Sequence, residues 1–383
     1  MDANGLEIQQ PTSKNPGLKP STNPSERVFK DLRPALITGG AGFIGTNLAH
    51  RLLSAGRPVV IFDNLSRSGV ELNLNWLRQE HGELVQVEVA DVRDTAALER
   101  AIKGVSHVFH LAAQVAVTSS LTDPVYDFQV NALGTLNLLE VIRRQPAPPS
   151  LIFTSTNKVY GGLEDIGLEL SQKRYQPTDP QIKWHGISEA RSLDFHSPYG
   201  CSKGSADQYV IDYARTYGIN AVVFRMSCTF GPHQFGTEDQ GWVAHFLIKA
   251  LKGQPIILYG DGMQVRDILY VDDLVNALVL AQANMGRLTG QAFNIGGGPN
   301  NCISLLELLD LIRQLKGGEV AFNFDKWRPG DQRYYVSDTS KFNRLTGWEP
   351  KMNAAPGVKA LYDWLYNSGE AISPLMLTGR RSA

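Results

Sequence analysis

An α/β fold built on a doubly wound parallel sheet is predicted by two features of this chain. Six short apolar runs alternate with longer amphipathic stretches, and a spaced glycine triplet joins the first run to the first amphipathic stretch. The runs read ALITGG, PVVIFD, VQVEVADV, VFHLAA, SLIFTST and NAVVFRMS. Strands separated by helices pair in parallel, because the crossover carries the chain back to start the next strand at the same end of the sheet.

Residues 1–32 are rich in Pro, Asn, Ser and Lys and lack the apolar stretch of a signal peptide, so a mobile leader outside the fold is expected there. Residues 33–224 hold the six runs and the main sheet. After Arg225 the rhythm loosens, Gly, Pro and aromatic residues become frequent, and the strands shorten to segments such as PIILYG and AFNIGG. A smaller C-terminal α/β unit is therefore expected over 225–370, with the strand near 291–297 returning to the main sheet. Residues 371–383, ending TGRRSA, read as a frayed tail.

The 383 residues are 43% hydrophobic and 20% charged, which suits a soluble protein with a sizeable core. Thirty-seven basic and 38 acidic residues leave a formal charge of -1, so no overall basic field recommends nucleic acid or an anionic membrane. No apolar run approaches the ~20 residues that span a bilayer. Cys201, Cys228 and Cys302 lack CxxC spacing, which argues against a disulfide framework and a structural zinc; no metal site is expected, and a reducing cytoplasm is.

Gly39, Gly42 and Gly45 form a GxxGxxG array, with Phe43 and Ile44 inside it, between an apolar strand and an amphipathic helix. Glycines there give a tight turn, close approach of backbone to a pyrophosphate, and close helix-to-strand packing: the Rossmann-type dinucleotide site. Asp63 ends the next strand 18 residues past Gly45, near the ~20 expected for the carboxylate that takes the adenosine ribose hydroxyls, with Asn64 following it. That carboxylate repels a 2'-phosphate and favours NAD; Arg67 keeps NADP in view. Asp91 and Val92 reach an adenine edge, or Asp91 caps a helix. Leu111, Ala112 and Ala113 pass their backbone beside the cofactor, Gln114 follows on the substrate side, and Asn131 is either structural or catalytic.

Tyr199 and Lys203 stand i, i+4 in YGCSK and share one helix face. A neighbouring ammonium and a nicotinamide cation both favour a phenolate at Tyr199, which tunes it as an acid-base group. Thr156 ends a strand aimed at the same place.

The glycine triplet, Asp63, STNKVYG and YGCSK together resemble the extended short-chain dehydrogenase/reductase superfamily of nucleotide-sugar epimerases and dehydratases, over about residues 34–368. The resemblance implies that Tyr199 takes the sugar hydroxyl proton, Thr156 hydrogen-bonds that oxygen, and Lys203 holds the nicotinamide ribose. Dehydratases of this superfamily place an acid and a base after the Thr. Thr156-Asn157-Lys158 keeps a possible base and lacks the acid, so dehydration is disfavoured. DNLSRSG, LAAQVAVTSS, HSPYGCSKG, DQGWV and QVRD add a closer resemblance to the CDP-paratose 2-epimerases. It implies C2 inversion of a CDP-linked hexose through a transient keto sugar and NADH, in a homodimer or homotetramer built on helices near 124–145 and 198–217.

Gln240, Gln264, Arg266 and Arg328 lie in segments that the superfamily uses around its nucleotide, and guanidinium suits diphosphate. Arg225 is expected to anchor the junction between the two units. Trp242 and Phe246 pack on the base or fill the core. RMSCTFGP sets Cys228 where many 4-epimerases carry a diphosphate-binding Asn. Rival readings are a UDP-sugar 4-epimerase or another 4-keto sugar enzyme, and an NAD-binding regulatory protein, against which the intact Thr156, Tyr199 and Lys203 set stands.

Overall fold

The computed structural model describes residues 31–368, so the expected tail, and all but two residues of the expected leader, lie outside the described residues. Seven strands form the central sheet: β1 (Ala35–Thr38), β2 (Val59–Asp63), β3 (Val85–Val89), β4 (His107–His110), β5 (Ser150–Thr156), β6 (Ala221–Met226) and β7 (Ala292–Ile295). Their order is β7-β6-β5-β4-β1-β2-β3, and all six pairings are parallel. The first six are the apolar runs of the sequence. The seventh is the AFNI segment, which returns to register Ala292 against Val223 and Ile295 against Met226.

β1 and β4 are buried at every position, as strands covered by helices on both faces must be. β3, at the edge, is only half covered and exposes Gln86 and Val89. Helix α1 (Phe43–Ser54) follows the glycine turn and drives Leu48, Ala49, Leu52 and Leu53 against Ile37, Ile61 and Phe109. Helix α2 (Ser197–Tyr217) starts with Pro198 in its first turn, where no amide donor is needed, and ends at Gly218 with φ of 69°. It packs Val210, Tyr213 and Ala214 on the opposite face of the sheet.

Beyond Met226 a second layer forms. Cys228–Phe230, Val265–Tyr270, Cys302–Ser304 and Tyr334–Tyr335 make a four-stranded sheet, and Ile256–Tyr259 pairs in parallel with Phe322–Asp325. Leu247, Leu258, Ile268, Leu308 and Leu361 are its core. Among the described residues no helix is long and apolar enough to cross a membrane.

One local reading is corrected. The helix Thr95–Ala101 is capped by Asp94, whose carboxylate accepts from the Ala97 amide at 3.1 Å. Asp91 instead takes the Arg93 guanidinium at 2.8 and 3.0 Å and the Asn64 amide at 2.9 Å.

Candidate active site

The strand order reverses on either side of β1, whose neighbours are β4 and β2, and open sheets of this kind bind ligands outside the carboxyl ends of their strands at such a point. A cavity of about 600 Å³ lies there, between those strand ends and the second layer. Gly39, Gly42, Phe43, Ile44 and Gly45 line one end, with Asp63, Asn64 and Arg67 beyond β2, and Asp91 and Val92 beyond β3. Leu111, Ala112, Ala113 and Gln114 line it beyond β4; Thr156, Asn157 and Lys158 beyond β5; Tyr199 and Lys203 from α2. Gln240, Gln264, Arg266 and Arg328 border it from the second layer.

The glycine turn is built for a close approach. Gly39 has φ of 68°, and a Cβ on it would lie 2.8 Å from the Ala112 amide nitrogen. A Cβ on Gly45 would meet the Gly39 carbonyl at 2.4 Å and Gly40 Cα at 2.6 Å. These are backbone atoms that cannot swing aside. Gly45→Ala is therefore expected to destabilise the fold by about 1–3 kcal/mol and to lose cofactor from the purified protein, both checked by thermal unfolding and by the nucleotide released on denaturation.

Asp63 accepts from the Ala41 and Leu65 amides at 3.0 and 2.9 Å. Burial lifts its carboxyl above the ordinary value, against the pull of those amides. A carboxylate at the end of β2, beside a turn where only glycine fits, suits a dinucleotide with free ribose hydroxyls.

At the other end, Lys203 Nζ donates to the Thr154 carbonyl at 2.6 Å and sits 4.2 Å over the Phe153 ring. Burial pulls its ammonium down to about 7, with Asp207 and Asp127 opposing. The Tyr199 phenol is pushed up to about 12 by burial, with a Thr156 hydrogen bond opposing and the Asp127 charge adding. The phenolate tuning expected of the ammonium and the nicotinamide cation together therefore has burial to overcome.

Asn131, left open by the sequence, is structural: it does not border the cavity. Its amide donates to the Gln114 carbonyl, Asp127 and Ser202 at 3.0, 3.1 and 3.1 Å, and its carbonyl accepts from the Gln114 amide at 2.9 Å. Asp127 and Ser202, which hydrogen-bond each other at 2.5 Å, complete a buried clamp under α2. Gln114 reaches the cavity wall with its side-chain nitrogen already bonded to Asp127 and the Ala116 carbonyl.

Arg225 is also corrected. It makes two bonds to buried Asp207 of α2 at 2.9 and 3.0 Å and a third to the Tyr160 hydroxyl at 3.2 Å, so it braces the sheet to the helix of Tyr199. Arg266 bonds Asp331 at 2.8 Å, and Arg328 bonds Glu238 at 3.0 Å while lying 3.7 Å over the Tyr259 ring. Phe246 is buried in the second core, and Trp242 packs against it at 5.8 Å while bordering the cavity. Sequence reading passed over Gln332, four residues beyond Arg328, because a neutral amide carries no charge to mark it.

Residues 35–296 match the model of the NAD dependent epimerase/dehydratase family. The chain belongs to that family. NAD is accordingly its cofactor, and this family member is an enzyme acting on a nucleotide sugar. It is 44% identical over 335 residues to the CDP-paratose 2-epimerase of Salmonella typhi, covering 86% of this chain and 98% of that one. It is 33% identical to a putative UDP-glucose 4-epimerase of Methanocaldococcus jannaschii, covering 87% of this chain and 98% of that one. Among solved structures, the UDP-glucose 4-epimerase of Thermotoga maritima with UDP-glucose aligns with a TM-score of 0.75 at 31% identity, covering 88% of this chain and 99% of that one. The UDP-glucuronic acid 4-epimerase of Bacillus cereus, in complex with UDP-glucuronic acid and NAD, aligns with a TM-score of 0.75 at 28% identity, covering 87% of this chain and 99% of that one.

Proposed function

We propose that this NAD-dependent epimerase inverts C2 of a CDP-linked hexose, such as CDP-paratose or CDP-glucose, through a transient keto sugar. The observation that carries it is the meeting of Thr156, Tyr199 and Lys203 at one end of a cavity whose other end is the glycine turn and Asp63. Similarity to a CDP-paratose 2-epimerase along nearly its whole length supports the nucleotide and the carbon.

In this reading the turn from Gly39 to Gly45 takes the pyrophosphate of NAD, Asp63 and Asn64 the adenosine ribose, and Asp91 and Val92 the adenine. Bound NAD supplies a hydride acceptor and a positive ring. Tyr199 removes the hydroxyl proton as hydride leaves the carbon, Thr156 bonds the reacting oxygen, and Lys203 holds the nicotinamide ribose. Arg266 and Arg328 take the diphosphate, leaving their present carboxylate partners. Lys158 and Gln264 complete the substrate wall. The exposed Val125, Phe128, Leu133, Tyr209 and Tyr217 on helices near 124–145 and on α2 support a homo-oligomer, and a cytoplasmic setting suits the free thiol of exposed Cys201.

Two outcomes test the reading in one experiment, conversion of a CDP-hexose carrying deuterium at C2, followed by NMR. The label is expected to return to C2, because hydride passes to the cofactor and back without meeting water. Loss of most of it early in the reaction sinks the direct hydride route, and inversion at C4 alone sinks the C2 assignment in favour of the 4-epimerase reading. No 4-keto-6-deoxy sugar is expected to accumulate, since Asn157 has no acidic proton with which to expel the 6-hydroxyl; its accumulation would count against this account of the site.

A further inference from the structure

The carboxylate of Asp127, in the helix Pro124–Phe128, is wholly buried and held by neutral donors. Its Oδ1 accepts from Asn131 Nδ2 at 3.1 Å and Gln114 Nε2 at 3.0 Å, and its Oδ2 from Ser202 Oγ at 2.5 Å. Both amides are fixed as donors from their far sides, since Asn131 Oδ1 and Gln114 Oε1 accept the main-chain N–H groups of Gln114 and Ala116. An asparagine at position 127 would fit the same bonds. Its carbonyl would accept from the two amides and its nitrogen would donate to Ser202 Oγ, whose own proton would pass to the Tyr199 carbonyl, 3.2 Å away. The clamp therefore has no need of a charge, and burying one is costly. What the charge faces is α2. Ser202 stands between Tyr199 and Lys203 in the chain, and the field of Asp127 reaches both.

We propose that Asp127 is a positioning residue for the reaction, a fixed negative charge that holds the proton on Lys203 and on Tyr199. This rests on the assignment of those two groups to the reacting end of the site made above. Burial pulls the Lys203 ammonium down to about 7 against Asp207 and Asp127, so without its counter-charges the lysine would be neutral in the working range. Asp207 is already committed to Arg225 of β6 through two bonds, which leaves Asp127 as the carboxylate bonded to no cation. The other neighbours bring no charge. His110 of β4 is pinned between Thr38 Oγ1 at 2.6 Å and Thr135 Oγ1 at 3.0 Å, and burial, with Lys203 adding, pulls it down to about 3, so it stays neutral. From β5 come the Phe153 ring, the Thr154 carbonyl and the Thr156 hydroxyl. At Tyr199 the Asp127 charge adds to the burial that raises the phenol. A turnover that oxidises and then reduces the sugar needs the tyrosine in both forms. The positive ring of bound NAD favours the phenolate before oxidation, and Asp127 favours the phenol while the sugar is a ketone and its proton must stay on the tyrosine.

The test is an NMR titration of the NAD holoenzyme without substrate, labelled with carbon-13 at lysine Cε, the Lys203 signal being the one lost in Lys203→Met. Asp127→Asn keeps the bonds of the clamp and is expected to lower the Lys203 midpoint by about one unit. The pH dependence of kcat/KM is the second readout. Both of its limbs are expected to move toward acid in Asp127→Asn, the Tyr199 limb where the phenolate forms and the Lys203 limb where the ammonium is lost, because each group loses a charge that raised it. A purely structural role lowers the height of the profile and moves neither limb. An unmoved or raised Lys203 midpoint overturns the proposal, and so does a profile that falls in height alone. Should Asp127→Asn fail to fold, the reciprocal measurement decides. Loss of the ammonium in Lys203→Met must raise the Asp127 carboxyl, followed by carbon NMR, by as much as Asp127 raises Lys203, and an unmoved carboxyl overturns the proposal. A wrong assignment of Tyr199 as the base shows elsewhere, as undiminished turnover of Tyr199→Phe, and leaves the Lys203 titration readable.

Discussion

Tyr199→Phe is expected to lower turnover by about 10²- to 10⁴-fold while the enzyme keeps its NAD. The substitution removes only the phenolic oxygen. The ring still fills its place, the residue 199 amide still donates to Ser120 Oγ at 3.2 Å, and Lys203 still holds the Thr154 carbonyl. What disappears is the group that accepts the sugar hydroxyl proton, and water offers a poor replacement at a partly buried position flanked by Thr156. The measurement is product formation beside the NAD content of the same preparation. Near-normal turnover with full NAD would remove Tyr199 from the chemistry, and loss of both would show a fold defect that leaves the role to the more conservative Thr156→Val, expected to lose less.

The largest effect on stability is expected at Asp207, one helical turn beyond Lys203. Its carboxylate is wholly buried and faces Arg225, whose side chain is only 6% exposed. Burial works against the charge on Arg225, and the Asp207 carboxylate outweighs it. Asp207→Asn leaves a buried guanidinium without its counter-charge and is expected to cost about 3–5 kcal/mol, read as a fall in the urea midpoint. The double change Asp207→Leu with Arg225→Met, which removes both charges, should restore much of that loss. If the single variant loses under about 1 kcal/mol, the pair is no brace, and the height of α2 over the sheet has another cause.

The central sheet was legible because each strand announces itself locally, as an apolar run between helix-like stretches. Asp63, Thr156 and Tyr199 were legible for a related reason: they stand at strand ends or a helix start, where spacing alone fixes their place. The supports were not. Asp207 meets Arg225 across 18 positions, and Gln332 meets Asn157 across 175, with nothing in either neighbourhood to announce the other. Asn157 drew attention only as a missing acid, whereas its partner shows it to be an oriented amide. The burial that raises the Tyr199 phenol is equally invisible in a motif, since distant segments supply it.

The return of β7 to the edge of the sheet bears on how the chain assembles. β6 is complete at Met226, yet its outer hydrogen-bonding edge stays open until Ala292–Ile295 arrives, after three of the six second-layer strands, Cys228–Phe230, Ile256–Tyr259 and Val265–Tyr270, have been made. During synthesis the growing protein therefore exposes a flat apolar strand edge for the time needed to add more than sixty residues, which at about 5–20 residues per second is several seconds. That interval is when neighbouring copies can pair edge to edge. A chain broken off before Ala292 therefore leaves the sheet one strand short, with the edge of β6 uncovered.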